Sequence, residues 1–420
     1  MPWQPRSHAD VEESLTERAD TGANGSYFRK PRAVMSLSAV SQSTPQARVA
    51  LWHDLRASLR ENSPLVLFSI LYGLAPFVVA REFSVPTGPY YQLWLAYLGF
   101  IATAGLAVFG AFALWYLYHA RVRRVPNFQA TALQRLRTDF LHRDRLLLAL
   151  PVFALWPITA SAFSYLKSVI PLIQPFYLDP LLHQWDSTLH FGMEPWRLLQ
   201  PFLGHTWITY AINFVYTLWF FVLQATLVLQ SGSMGDRKRR MQFLLSFALT
   251  WALIGNLAAT LMSSAGPCYY GFVVDGPNPY APLMGYLHTV AGNLSLGAFG
   301  YELHIPFTAL ILQDLLWQGQ LSGDFGIARG ISAAPSMHIA STWIIARVAW
   351  SMGRTARIFA GLFLLFIFVG SIHLGWHYAL DGYLSIAGAW ALWRSTGWFL
   401  DRPAVQAFLW PKGPAPAQEG

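Results

Sequence analysis

Apolar residues in this chain come in long blocks, and polar residues collect in the short stretches between them. The blocks run roughly 17–25 residues, the length that crosses a bilayer as a helix. They lie near Ser63–Ala80, Leu93–Tyr118, Leu146–Leu166, Ile208–Leu229, Phe243–Met262, Ser336–Trp350, Ile358–Ile372 and Tyr378–Trp393. They lack the polar faces that large helices of a soluble protein would need. The pattern predicts an all-α fold, a polytopic transmembrane helical bundle of about eight spans. Ahead of it, Met1 to about Glu61 reads as a polar, largely disordered tail, with Leu51–Leu59 as an interfacial amphipathic helix. The tail has no short apolar region with a cleavage site near its start, so it does not read as a signal peptide.

Composition agrees. Of 420 residues, 54% are hydrophobic and only 12% charged, against about a quarter charged in soluble domains. The net charge of +8 does not point to nucleic acid, because the basic residues sit in alternate short loops. Arg121, Arg123, Arg124, Arg135, Arg137, Arg143 and Arg145 separate the second and third blocks. Arg237, Lys238, Arg239 and Arg240 separate the fourth and fifth, Arg354 and Arg357 the sixth and seventh, and Arg394 and Arg402 follow the eighth. The other loops carry Asp179, Asp186, Glu194, Asp275, Glu302, Asp314 and Asp324. This asymmetry predicts both termini in the cytoplasm. Two long outer loops result, about 167–207 and 263–334. Within the first, Leu181–Phe191 suits a helix lying in the membrane interface. Within the second, Leu294–Leu316 could dip back toward the membrane, and so long a loop suits a substrate lid or platform. Cys268 is the single cysteine, so no intrachain disulfide forms. It reads as a packing residue.

Two motifs fall at the same outer face. His377 and Asp381 are four apart, which puts them on one face of a helix. Asp381 can accept from one imidazole nitrogen and leave the other free to attack. His338 arrives from another span, so one histidine could attack a phosphorus while the other protonates the leaving oxygen. Pro335 suits a helix start and Ser336 an N-cap, and a helix N-terminus there attracts phosphate. His373 lies four before His377 and shares its face on a continuous helix. His373, His377 and Asp381 could then hold zinc, but a second donor or head-group contact is the preferred role for His373. A proton relay in a transporter is the rival of another class. Asp186, His190, Glu302 and His304 read as residues solvated at the interface.

Pro335-Ser336-Met337-His338 resembles the Pro-Ser-x-His motif of the type 2 phosphatidic acid phosphatase superfamily. His377-x-x-x-Asp381 resembles the end of that superfamily's third motif. The resemblance covers the last six spans, roughly Leu146–Trp393. It implies a six-helix catalytic core over 146–396, with 62–145 as two accessory helices and a basic loop, 1–61 as the tail, and 397–420 as a cytoplasmic C-terminal tail. Two departures stand out. The first-motif region, Ser263-Ser264-Ala265-Gly266-Pro267-Cys268-Tyr269-Tyr270, has no Lys or Arg, and Gly370-Ser371 replaces the usual Ser-Arg. Both departures resemble the inositol phosphorylceramide synthase branch. That resemblance implies a phosphohistidine on His377, Asp381 as its orienter and His338 as acid/base, with no cofactor and no metal. It implies a phospholipid donor in the bilayer and a lipid acceptor such as ceramide, or water for a lipid phosphatase. With the usual cations missing, phosphate oxygens need other donors. The candidates are Arg329, first by sequence proximity, then Lys167 and Arg197, with Ser336, Ser371, His373 and backbone amides.

Overall fold

The computed structural model describes residues 45–123, 134, 136–293, 295–298, 301–326 and 329–411. The expected tail up to residue 44, much of the basic loop after the second block and the last nine residues lie outside them. Residues 53–420 form one unit. Of residues 1–52, only the helical stretch from Pro45 is described.

Helices form wherever the apolar runs are uninterrupted. In chain order they are α1 (Pro45–Glu61), α2 (Ser63–Glu82), α3 (Gly88–Arg123), α4 (Arg143–Ile173), α5 (Asp179–Leu189), α6 (Pro195–Leu203), α7 (Thr206–Ser231), α8 (Arg237–Leu261), α9 (Ala281–Asn293), α10 (Thr308–Ser322), α11 (Met337–Ala349), α12 (Arg354–His373), α13 (Ala379–Leu400) and α14 (Pro403–Leu409). Helix α8 passes through a π-helical segment at Thr250–Ala258. One antiparallel hairpin, β1 (Ser295–Ala298) and β2 (Tyr301–His304), departs from the all-α expectation, with Ser295 opposite His304. The stretch expected to dip back thus becomes this hairpin and α10. The side chains of Glu302 and His304 fall outside those described.

Among the described residues, six helices are long and apolar enough to cross a membrane: α2, α3, α4, α7, α8 and α12. The other two predicted spans are also helical. Helix α11 has 13 residues, about 20 Å, short of a hydrocarbon core of about 30 Å. It packs among α7, α8, α12 and α13, in the middle of the bundle. Helix α13 has 22 residues, but Asp381, Ser385, Arg394 and Ser395 interrupt its apolar run. Burial ranks the rest. The apolar windows of α4 and α8 are 61% and 67% buried, that of α3 is 0%, and α2 and α3 both pack on α4. Helix already begins at Pro45, ahead of the expected end of the tail, and α13 and α14 carry the helical chain past residue 397.

The bundle has two chemically distinct ends. At one, α2, α4, α7 and α8 meet around Arg240. Sequence pattern placed this arginine in a short basic loop between two spans; it lies instead in the first turn of α8 and is 1% exposed. Its guanidinium donates to the Ser231 carbonyl (2.9 and 2.7 Å), to Asn62 Oδ1 (2.9 Å) and to the Leu148 carbonyl (3.0 Å). The buried Glu61 carboxylate lies 3.7 Å away and also pairs with Arg237. Helix C-terminal carbonyls such as that of Ser231 draw a cation, which is why the charge turns inward. Breaking a buried, hydrogen-bonded charge costs about 3–5 kcal/mol. Arg240→Ala is therefore expected to lower the thermal unfolding temperature in detergent sharply, while Arg239→Ala, on an exposed residue, leaves it nearly unchanged.

Candidate active site

Most site candidates gather at the opposite end, where Ser336, His338, His377 and Asp381 lie at or just before helix starts. The Ser336 backbone is extended and its Oγ accepts the Ile339 amide at 3.4 Å, capping α11 as expected. Met337 and His338 occupy the first turn, where amides have no intrahelical acceptor. On α13, Tyr378 is the N-cap and Asp381 Oδ2 accepts its amide at 3.1 Å. His377 thus precedes the helix.

The expectation that His373 and His377 share one helix face is corrected. Helix α12 ends at His373, and the chain turns at Gly375 with φ +75, where an added Cβ would lie 3.2 Å from Met284 Sδ. The Ser371 carbonyl accepts both Trp376 and His377 amides, at 2.9 and 3.1 Å. Fully buried His373 places Nε2 2.9 Å from Thr209 Oγ1, and its Nδ1 has no protein partner. Among the described residues no three His, Cys, Asp or Glu side chains converge as a metal-ligand set.

His377 Nδ1 lies 2.8 Å from the Ala333 carbonyl. A carbonyl only accepts, so Nδ1 carries the proton and Nε2 the lone pair. Asp381 Oδ2 is 3.5 Å from the same Nδ1. The orienting role expected of Asp381 is therefore divided, with Ala333 the nearer partner. Asp381 is fully buried, and its Oδ1 has no protein partner. The His338 ring centroid lies 5.9 Å from that of His377, 4.8 Å from Tyr216 and 4.1 Å from Trp219. Trp376 runs parallel to Tyr216 at 6.5 Å. Around these histidines, Tyr216 Oη and Trp376 Nε1 are buried without a protein partner.

The expected phosphate donors fare differently. Lys167 Nζ faces the Phe163 ring, 5.7 Å from its centroid, and its positive charge works against a proton on His338. Arg329 donates to the Leu315 carbonyl and lies against Gly319, so its guanidinium is engaged with α10. Arg197 pairs with Glu194 at 2.6 Å and stacks on Trp196. Ser371 Oγ donates to the Phe368 carbonyl at 2.7 Å, so this residue shapes the His377 turn through its backbone. The structure brings together His377, Asp381, His338 and Ser336, with Lys167 near by. It engages Arg329 and His373 elsewhere.

Two carboxylates carry more than sequence reasoning assigned them. Asp179, 1% exposed, accepts through Oδ1 from Ser264 Oγ (2.8 Å), the Gly266 amide (2.8 Å) and Tyr378 Oη (2.9 Å), and through Oδ2 from the Ala265 amide (2.8 Å). It thereby fixes the segment that lacks the usual cations. That segment lies beneath both histidine loops. The Ala333 amide donates to Ser264 and the Cys268 amide to Gly375, each at 2.9 Å. Gly266 has φ +97, and an added Cβ would lie 2.8 Å from the Trp376 carbonyl and 2.9 Å from Ala333 Cβ, so only glycine fits. Buried Cys268 packs there, as expected.

Asp186 is the second. The interfacial solvation expected of it is corrected, because it is 1% exposed. Its oxygens accept the Ala379 and Leu380 amides at 3.1 and 3.0 Å, satisfying the first turn of α13. His190 bridges the Asp186 carbonyl (2.6 Å) and Tyr383 Oη (3.1 Å). The missed signal was periodicity: Asp179, His183, Asp186 and His190 recur at the spacing of one helix face.

Burial pushes the Asp186 carboxyl from 3.8 up to about 6, against the pull of its two amides and of His190. A raised carboxyl pKa means the folded state holds more protons than the unfolded state between those values. Stability from this group is present below 3.8 and is lost as pH rises through about 6. Unfolding followed across that window is expected to show stability falling with pH, and Asp186→Asn is expected to flatten the slope.

A family model for the PAP2 superfamily matches residues 180–397. The match includes His338, His377, Asp381 and Asp186. No curated protein and no solved structure matches the chain. More than half of the 420 residues fall within the family match, its span contains the paired histidine motifs, and six helices can cross a membrane: the chain belongs to the PAP2 superfamily.

Proposed function

We propose that this protein is a membrane phosphotransferase that moves a phospho-head group, such as phosphoinositol, from a phospholipid to a lipid hydroxyl such as that of ceramide. The observation that carries the reading is His377, tethered through Nδ1–H to Ala333 at 2.8 Å, with its ring 5.9 Å from that of His338. In the first step Nε2 of His377 forms a bond to phosphorus, and the bond from phosphorus to the diacylglycerol oxygen breaks. His338, which takes up a proton as the anionic phosphate binds beside it, gives that oxygen this proton. Asp381, 3.5 Å from Nδ1, offsets the positive charge that the phosphorylated imidazole acquires. In the second step the acceptor hydroxyl gives its proton to neutral His338, and its oxygen displaces the Nε2–phosphorus bond. Both histidines return to their starting states.

The phosphoryl oxygens are held by Tyr216 Oη, Trp376 Nε1, Lys167 and the first-turn amides at Met337 and His338. Two of these donors are buried with no protein partner, a costly state that a ligand oxygen relieves. Lys167 takes the place that sequence proximity assigned to Arg329. The aromatic walls of Tyr216, Trp219 and Trp376 favour a lipid acceptor by excluding water. The absence of Lys and Arg from Ser263–Tyr270 supports the inositol phosphorylceramide synthase-like branch. A lipid phosphatase acting on phosphatidic acid or a polyprenyl phosphate would use the same two steps with water as acceptor. The site lies at the outer face in this proposal, because Arg143, Arg145, Arg237–Arg240, Arg354 and Arg394 mark the other end of the bundle as cytoplasmic.

Incubation with a radiolabelled donor phospholipid and an acid-free quench is expected to trap an acid-labile phosphoenzyme in the wild type and none in His377→Ala. Turnover persisting in that variant would sink the assignment, and flux without any phosphoenzyme would favour the transporter. His338→Ala is expected to slow turnover by about 10²–10⁴-fold. Tyr216→Phe removes one oxyanion donor and is expected to lower kcat by about 10²-fold, with the fold unchanged by thermal unfolding. Product mass spectrometry with and without ceramide separates transfer from hydrolysis.

A further inference from the structure

A cavity of about 570 Å³ opens at the end of the bundle opposite His338 and His377. It lies between the start of α8 and the C-terminal ends of α11 and α13. Lys238, Gln242, Arg347, Trp393, Arg394 and Asp401 are among its lining residues. Its volume falls in the range of small-ligand sites, about 300–1,000 Å³.

The charge in this cavity is unbalanced. Asp401 is the one carboxylate lining it, and Lys238 pairs with it. Gln242 Nε2 donates to the Trp393 carbonyl at 2.8 Å. The Arg347 guanidinium rests against the Trp343 and Trp393 rings, 5.8 Å from each centroid. Neither Arg347 nor Arg394 has an acidic partner among the described residues. Guanidinium groups held in a concavity without a carboxylate of their own to pair with match the forked geometry of a phosphate.

The surroundings indicate where that phosphate comes from. Trp390 and Trp398 are 55% and 65% exposed on α13, and Arg402 stacks on Trp398 at 3.8 Å. Exposed indoles beside arginines at the end of a membrane helix mark the head-group layer. The molecules at that level are phospholipids, and basic pockets between helices there take anionic head groups.

We propose that this cavity binds the phosphate of an anionic phospholipid, at a site separate from the phosphoryl-transfer centre. Arg394 and Arg347 contact the phosphate, and Trp393 and Trp398 line the cavity beside them. The lipid would thereby tie together the far ends of the two helices whose starts carry His338 and Asp381. This assignment does not depend on the reaction proposed above.

The test uses the delipidated full chain in detergent, equilibrated with equal amounts of phosphatidylglycerol and phosphatidylcholine and read by native mass spectrometry. Preferential retention of phosphatidylglycerol is expected. Removing one guanidinium is expected to cut that retention about fivefold, in Arg394→Ala and in Arg347→Gln. Arg394 is exposed, so its variant serves if Arg347→Gln does not fold. His377→Ala is expected to retain the lipid in full. Equal retention of the two lipids, or retention unchanged in Arg394→Ala, would overturn the proposal, and loss in His377→Ala would place the lipid at the catalytic site instead. Competition by free glycerol phosphate at matched concentration would assign the cavity to a soluble phosphate and overturn the lipid source.

Discussion

Asp179 accepts four hydrogen bonds, three from the Ser264–Gly266 segment and one from Tyr378. Seven residues along the same helix face, Asp186 accepts two amides from the start of α13. A buried carboxylate is expensive unless its lone pairs are filled, so these bonds admit few arrangements of the loops. The arrangement they fix brings Ala333 to His377 and sets Gly266 under Trp376. Helix α5 accordingly reverses the usual amphipathic order. Asp179, Leu182 and Asp186 face inward, while Leu181, Trp185 and Leu189 are 36%, 47% and 58% exposed. That reversal suits a helix whose outer side meets lipid and whose inner side meets helix N-termini and polar loops.

The site also differs in how it meets charge. Family-like positions that would carry Lys or Arg hold Ser263–Tyr270 and Gly370-Ser371 instead. The donors near the two histidines include Tyr216 Oη and Trp376 Nε1, both buried and without a hydrogen-bond partner among the described residues. Neutral donors are weaker than guanidinium in water, but burial raises the worth of each. A site built this way depends on exclusion of water more than one lined by arginines does. The His338 ring, packed between Tyr216 and Trp219, belongs to the same dry wall.

The two ends of the bundle divide the labour. One is held by the Glu61, Arg237 and Arg240 cluster and by cations around the cavity near Arg394. The other collects the carboxylates and histidines. Helices α8, α11 and α13 run between them, so both ends share the same rigid rods.

The sequence by itself determined the helical membrane character, because long apolar runs have one economical solution in a bilayer. Loop charges and motif resemblance also placed His338 and His377 at one face, where their rings do meet, and the N-cap role of Ser336 followed from local residue types. The sequence's apolar blocks ended α12 within a residue of His373, but spacing did not show that His373 and His377 leave one helix face, because the turn at Gly375 is closed by the Ser371 carbonyl and packs against Met284. Only the tertiary structure showed Ala333 as the nearer partner of His377, engaged Arg329 with α10, and buried Arg240, Asp179 and Asp186. Each of those outcomes rests on which backbone carbonyl or amide lies within hydrogen-bond reach. That is decided by packing between segments far apart in the chain; residue spacing records only that Asp179 and Asp186 share a helix face, not what the face meets.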